Sequence, residues 1–180
     1  NGTFPPAFLA NKEGKPLLSW RVLILPYLGE QALYQEFHLD EPWSSPHNKA
    51  LISRIPSVYK CPDTDLPGGR TTYLTPRGKS TIFPGGDGIS IDQITDGTSN
   101  TIAVLEVDND HAVGWTAPDD WEIDDKEIKP ATILKAHPGG GSNVGFSDGS
   151  VRFLKGLINP EVFGALLSRA GGEVIAADAF

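Results

Sequence analysis

Apolar residues in this chain come in short bursts separated by Gly, Pro, Asp and Ser, which predicts many brief elements. Trp20, Leu23, Ile24, Tyr27 and Leu28 recur at helical spacing behind Ser19, a good N-cap residue. Pro26 falls inside that pattern and Gly29 follows it, so the spacing predicts a split. A second short helix is expected over Gln31 to Phe37, with Trp20, Leu23, Leu33 and Phe37 facing inward. Ser45-Pro46 predicts a third helix running to about Arg54, with Ala50, Leu51 and Ile55 inward and Pro56 ending it.

Upstream, Pro5 and Pro6 demand extended backbone, and Asn11 to Lys15 around Gly14 reads as a turn. Val58 to Cys61 reads as a short strand. Residues 63–100 are irregular, with Thr71 to Leu74 the one strand expected inside them. Such a stretch is often functional or interfacial. Thr101 to Val107 is the strongest strand pattern, and Ala112 to Thr116 suggests another. Asn143 to Phe146 and Ser150 to Leu154 flank Asp148-Gly149, which predicts a hairpin closed by a type I′ turn. Asn159-Pro160 predicts a helix through Arg169 that buries Val162, Phe163, Leu166 and Leu167, with Gly171-Gly172 beyond it. These elements imply an α+β fold, a small antiparallel sheet packed by short helices.

Composition narrows the function classes. The 180 residues carry 15 Lys and Arg against 23 Asp and Glu, a net charge of −8, which argues against a nucleic-acid surface. The single Cys excludes an internal disulfide framework. No apolar run is long enough to span a bilayer.

Candidate chemistry is sparse. Gly145-Phe146-Ser147-Asp148-Gly149 matches G-x-S-x-G, but a strand rather than a helix follows, and no His lies downstream to complete a hydrolase triad. The expectation is a hairpin turn. His137 precedes three glycines and could pair with Asp148 as an acid/base or metal couple, or hold the glycine loop in place. Asp96-Gly97-Thr98-Ser99-Asn100 suits side-chain-capped turns. Asp96, Glu106 and Asp108 are the residues that could offer oxygens to Ca²⁺, the one cofactor the sequence suggests. The acidic run Asp119, Asp120, Glu122, Asp124, Asp125, Glu127 reads as a solvated loop. Trp43, Trp115 and Trp121 fall in expected loops, where they either stack on glycans or fill cores. Cys61 has no activating neighbour in sequence and reads as a structural thiol.

Five ordered motifs are familiar together. They are Gly2-Thr3-Phe4-Pro5-Pro6; Leu18-Ser19-Trp20-Arg21-Val22 with Leu25-Pro26-Tyr27-Leu28; Tyr59-Lys60-Cys61-Pro62; Ile94 to Thr101; and His137-Pro138-Gly139-Gly140 through Asp148-Gly149-Ser150-Val151. The chain resembles the prepilin-like family known as domain of unknown function 1559, abundant in planctomycete bacteria. The resemblance implies one pilin-like head over residues 1–180, without an N-terminal leader and hydrophobic helix; a start at Asn1 and the absence of Met suit that expectation. It also marks His137, Asp148, Gly149, Asp96, Gly97 and Asn100 as family-motif positions, structural or ligand-bearing. Ten residues separate His137 from Asp148 where the family has nine, an insertion a flexible turn absorbs better than a rigid site.

What the resemblance implies is assembly, not catalysis. The expected role is the head of a type II secretion pseudopilin-like or type IV pilin-like subunit, non-enzymatic and periplasmic or extracellular. Its partners would be other pilin-like subunits or envelope components, and it would touch membrane only through the missing helix. The alternatives are an envelope-binding module for calcium or glycan and, least favoured, a hydrolase using Ser147 or His137 with Asp148.

Overall fold

A computed structural model describes residues 2–123, 128–176 and 179–180. It is mixed α+β with many short elements, as the punctuation requires. Two strands, β1 (Phe8–Ala10) and β2 (Pro16–Ser19), form an antiparallel hairpin around the turn at Asn11 to Lys15. Ser19 then caps helix α1 (Trp20–Leu23), its hydroxyl accepting from the Arg21 N–H. The helix gives way to a 3-10 helix at Leu25–Leu28, which Gly29 closes at φ 79°. The split falls where Pro26 predicts it, but the buried face differs from expectation. Val22 and Leu25 are buried, Leu23 is half-buried and Tyr27 is exposed. A turn of three residues rather than 3.6 rotates the inward positions.

Helix α2 (Gln31–Glu36) buries Leu33, and helix α3 (Pro46–Leu51) starts from the Ser45 cap and continues as a 3-10 turn over Ile52–Arg54. Ala50 is exposed, and Asn48 takes the inward position instead. Its amide nitrogen donates to the carbonyls of His38, Glu41 and Pro42, and its oxygen accepts from the His38 N–H, tying the 38–42 loop to α3. The strand expected at Val58 to Cys61 is a 3-10 helix over Ser57–Tyr59, because Pro56 starts a turn and Tyr59 swings inward to donate to the Arg21 carbonyl at 2.8 Å.

Three short strands follow, β3 (Arg70–Thr71), β4 (Tyr73–Leu74) and β5 (Pro76–Arg77), and then β6 (Ile102–Glu106). Beyond it come β7 (Val113–Gly114), β8 (Trp121–Glu122), helix α4 (Pro130–Ile133), the hairpin strands β9 (Ser142–Phe146) and β10 (Val151–Leu154), and helix α5 (Pro160–Leu167). The main sheet runs β10-β9-β6-β4, antiparallel throughout; β3 pairs antiparallel with β7, and β5 pairs parallel with β8. One face of the main sheet presents Leu74, Leu105, Val144 and Leu154 to Phe163, Leu166 and Leu167 of α5. Two further apolar clusters lie around Trp115 with α1 to α3, and around Phe8, Trp20, Ile82 and Phe83.

The 143–154 hairpin forms, but its turn is not type I′. Gly149 sits at φ 86°, whereas Asp148 does not have the positive φ that a type I′ turn needs. Phe146 and Ser150 bracket a three-residue loop in which the Gly149 N–H donates back to the Phe146 carbonyl. This is a type I turn followed by a left-handed residue, the usual three-residue hairpin.

The acidic run is also not a simple solvated loop. Asp124, Asp125 and Glu127 lie outside the described residues, but the Asp120 carboxylate is buried against Arg21 at 2.6 Å, with both side chains fully removed from solvent. Arg21 also donates to the Tyr73 carbonyl from Nε at 3.1 Å and Nη2 at 2.6 Å, and to Ser19 Oγ at 2.8 Å. Asp120 accepts from the Thr75 N–H at 2.9 Å and, at 3.4 Å, from the Trp20 indole. Burial pushes the Asp120 carboxyl up, against the opposing pull of Arg21 and of those donors.

Removing one partner of such a pair strands the other charge in the interior, a loss of about 3–5 kcal/mol. Arg21→Met should therefore shift the urea unfolding midpoint sharply downward, whereas Arg54→Ala, which breaks the exposed pair with Glu36, should leave it nearly unchanged.

Candidate functional site

The side chains with most chemical potential meet at the end of β6. Alternation along a strand sends neighbours to opposite faces. Leu105 goes into the core under α5, and Glu106 goes to the other side, level with Tyr73 on β4. There three segments converge on its carboxylate. Cys61, just past the 57–59 turn, donates its thiol hydrogen to Oε1 at 3.0 Å. His137 Nε2 and Asn143 Nδ2 each lie 2.9 Å from Oε2. An ionised carboxylate only accepts, so the proton sits on His137 Nε2. The 3.1 Å approach of Asn143 Nδ2 to that nitrogen is then two donors sharing one oxygen. A cavity of about 330 Å³ lies alongside, bordered by Asp63, Thr72, Asp108 and Pro138 among others.

The electrostatics of the cluster point one way. Burial alone would raise the Glu106 pKa, but the donors Cys61, His137 and Asn143, with the nearby His137 charge, outweigh it and hold it below the ordinary glutamate range. Burial and the adjoining Glu106 push the Cys61 thiol up. Burial, followed by the Glu106 charge, pushes the Tyr73 phenol up to about 12. A nucleophilic cysteine needs an imidazole or other cation at its sulfur. Here the carboxylate stands at the sulfur and the imidazole bonds to the carboxylate's other oxygen. The arrangement stabilises a thiol and a carboxylate rather than a thiolate.

The other motif residues are placed elsewhere. His137 and Asp148 are not brought together: the five-residue β9 separates the glycine loop of one from the turn of the other. Asp148 accepts from the Ser150 N–H at 2.8 Å and its hydroxyl at 2.6 Å, which lowers its pKa. Ser147 Oγ donates to the Thr101 carbonyl at 2.9 Å. Asp96, before the start of β6, accepts from the Gly171 N–H at 2.7 Å and the Gly172 N–H at 2.9 Å. Gly97, at φ 93°, and Asn100, donating to the Asp96 carbonyl at 3.2 Å, shape that same turn. Of the calcium candidates, Glu106 and Asp108 border one cavity, while Asp96 lies at the opposite end of β6. Asp108 is engaged by Lys135 at 2.8 Å and by His111. Among the described residues no group of three or more His, Cys, Asp or Glu side chains is arranged to hold a metal ion.

Of the three tryptophans in expected loops, Trp115 is fully buried, its indole donating to the Ile52 carbonyl at 2.9 Å, while Trp43 and Trp121 are half-buried, Trp121 stacking on Phe163. Sequence reasoning missed Asn143 and the grouping of Cys61 with Glu106. The one available signal for Glu106 was a charged residue closing the most apolar strand.

Comparison with known proteins gives one match. The family model described as a protein of unknown function (DUF1559) matches residues 1–90. The chain belongs to this family. The match spans three of the five motifs, from Gly2 to Pro62, and ends before the His137 to Asp148 signature. No curated protein and no solved structure matches the chain.

Two outcomes follow for this DUF1559 protein. Native Cys61 should react with a thiol reagent only as fast as the fold opens, and at the rate of a free thiol in denaturant. Because the folded pKa of Glu106 is depressed, its ties contribute stability above the ordinary value of 4.5 that is lost as pH falls through the folded value. Glu106→Gln should lower stability at neutral pH and flatten this acid limb, as read from unfolding midpoints measured between pH 7 and pH 3.

Proposed function

We propose that this chain is the head of a pilin- or pseudopilin-like subunit of the cell envelope, a structural rather than catalytic protein. The reading is supported above all by how the motif side chains are used. Glu106, His137, Cys61, Asp96, Ser147 and Asp148 all spend their hydrogen bonds within the fold, closing loops against the sheet. Groups so engaged stiffen a loop-rich head. The α+β architecture with an antiparallel sheet and short helices suits a displayed head, and the net charge of −8 suits one exposed to solvent. Among the described residues no helix is long and apolar enough to cross a membrane, so on this reading the anchor is a separate segment. The partners would be other pilin-like subunits, with the head periplasmic or extracellular.

The binding-module alternative has less behind it. Trp115 is committed to the core, and Asp96, Glu106 and Asp108 are occupied by protein donors.

The gene's full reading frame, expressed with a prepilin peptidase, tests the proposal. The expected product is shortened at its N-terminus, fractionates with the inner membrane and gives a ladder of crosslinked subunits. A reading frame without a leader or hydrophobic helix, or a product that is never processed, would overturn it.

A further inference from the structure

The strand order leaves β10 and β4 as the edges of the main sheet, and the two are finished differently. On β4, the Tyr73 carbonyl takes the Arg21 guanidinium, so that edge is closed from within. On β10, the pairing with β9 sets which groups remain. The Phe146 N–H donates to the Ser150 carbonyl, and antiparallel hydrogen bonding alternates by two, so Arg152 and Leu154 bond toward β9. The N–H and C=O groups of Val151 and Phe153 then point away from the sheet, and no backbone partner takes them among the described residues. The side chains there are apolar and uncovered: Val151 is 68% exposed, Phe153 50% and Leu157, just beyond the strand, 92%. Natural sheets usually blunt or cover such an edge.

Two further features say what would cover it. A cavity of about 340 Å³ opens beside the strand, lined by Phe153, Leu154, Lys155, Leu157, Ile158 and Phe180 among others. It can take one apolar side chain. The charge around it is opposite to that of the protein as a whole. The strand and the turn after it, residues 150–160, carry Arg152 and Lys155 and no acid, in a chain of net charge −8. Gly156 packs directly on Ala131 and the Leu134 carbonyl, so α4 lies at the end of β10. The Arg152 guanidinium lies 4.8 Å over the Phe180 ring and 5.3 Å over Phe146, paired with aromatic faces. Asp148 is folded back on Ser150.

We propose that the open edge of β10 is a docking site for an extended acidic segment of a partner protein, added as a fifth, antiparallel strand. Main-chain bonds to Val151 and Phe153 supply the pairing, the cavity takes an apolar side chain, and Lys155 with Arg152 meets the carboxylates. A second copy is a poorer occupant, because pairing β10 with its twin sets two basic edges against each other inside two proteins that already repel. The proposal stands apart from the pilin-like reading and survives its failure.

The test uses the whole chain and two synthetic hexapeptides, acetyl-Glu-Val-Asp-Val-Glu-Leu-amide and the same peptide with Lys at every acidic position. The acidic peptide should bind at least tenfold tighter than the basic one, shifting the Val151, Phe153 and Lys155 amide resonances and slowing the exchange of Val151 and Phe153. Lys155→Glu, an exposed change, should cancel that preference while leaving the unfolding midpoint in place. Equal affinity for both peptides, no binding, or shifts centred on other residues would overturn the proposal. So would concentration-dependent protection of the same amides without peptide, which would make a second copy the occupant.

Discussion

A guanidinium shielded from solvent between a helix and a sheet is the constraint on which the rest of this molecule depends. Arg21 reaches Asp120, the Tyr73 carbonyl and Ser19 at once, while its own carbonyl accepts from Tyr59. Four stretches far apart in the chain are thereby set at one point: the end of the first hairpin with α1, the 57–59 turn, β4 and the run into β8. Desolvating two charges is expensive. The bonds from Arg21, together with the Thr75 and Trp20 donors to Asp120 Oδ1, offset that expense, while the buried Asp120 Oδ2 has no hydrogen-bond partner among the described residues. Such an interaction tolerates few alternative packings. That property is useful where, among the described residues, the longest helix has eight residues and the longest strands have five.

The Glu106 cluster repeats the principle across the sheet. One buried carboxylate gathers a thiol, an imidazole and an amide from segments that share no regular secondary structure with one another. Asp96 does the same for the two glycines after α5, and Asn48 for the loop before α3. Short elements bury little apolar area each, so their relative placement falls to polar side chains bonded to backbone or to one another. What resembles a scatter of reactive residues is then a set of joints, and the side chains most suggestive of chemistry are the ones most fully engaged.

Much of the local structure was legible because it follows from chemistry within a few residues. Ser19, Ser45 and Asn159 cap where their side chains can reach the next amides, Pro26 breaks the helical pattern it sits in, and the β-branched run after Thr101 becomes the central strand. The misreadings share one cause. Val58 to Cys61 has strand-like side chains but turns because Tyr59 is drawn to Arg21. Asp120 looks like any member of an acidic loop until a buried cation is placed beside it. Asp148-Gly149 promises a two-residue turn, yet the Ser147 and Asp148 amides bond to the Thr101 and Thr98 carbonyls, which holds a three-residue loop against the start of β6.

The candidate site divides along the same line. The sequence by itself determined the fold class, the hairpin, the helix caps and, through the motifs within residues 1–90, the family, since each depends on the residues themselves and their near neighbours. Only the tertiary structure decided that His137 pairs with Glu106 and not Asp148, that Asp96 lies apart from the other calcium candidates, and that β10 is left with an open edge. Those outcomes depend on which strand lies beside which, and strand order is set by contacts between segments dozens of residues apart, where spacing along the chain carries no information about distance in space.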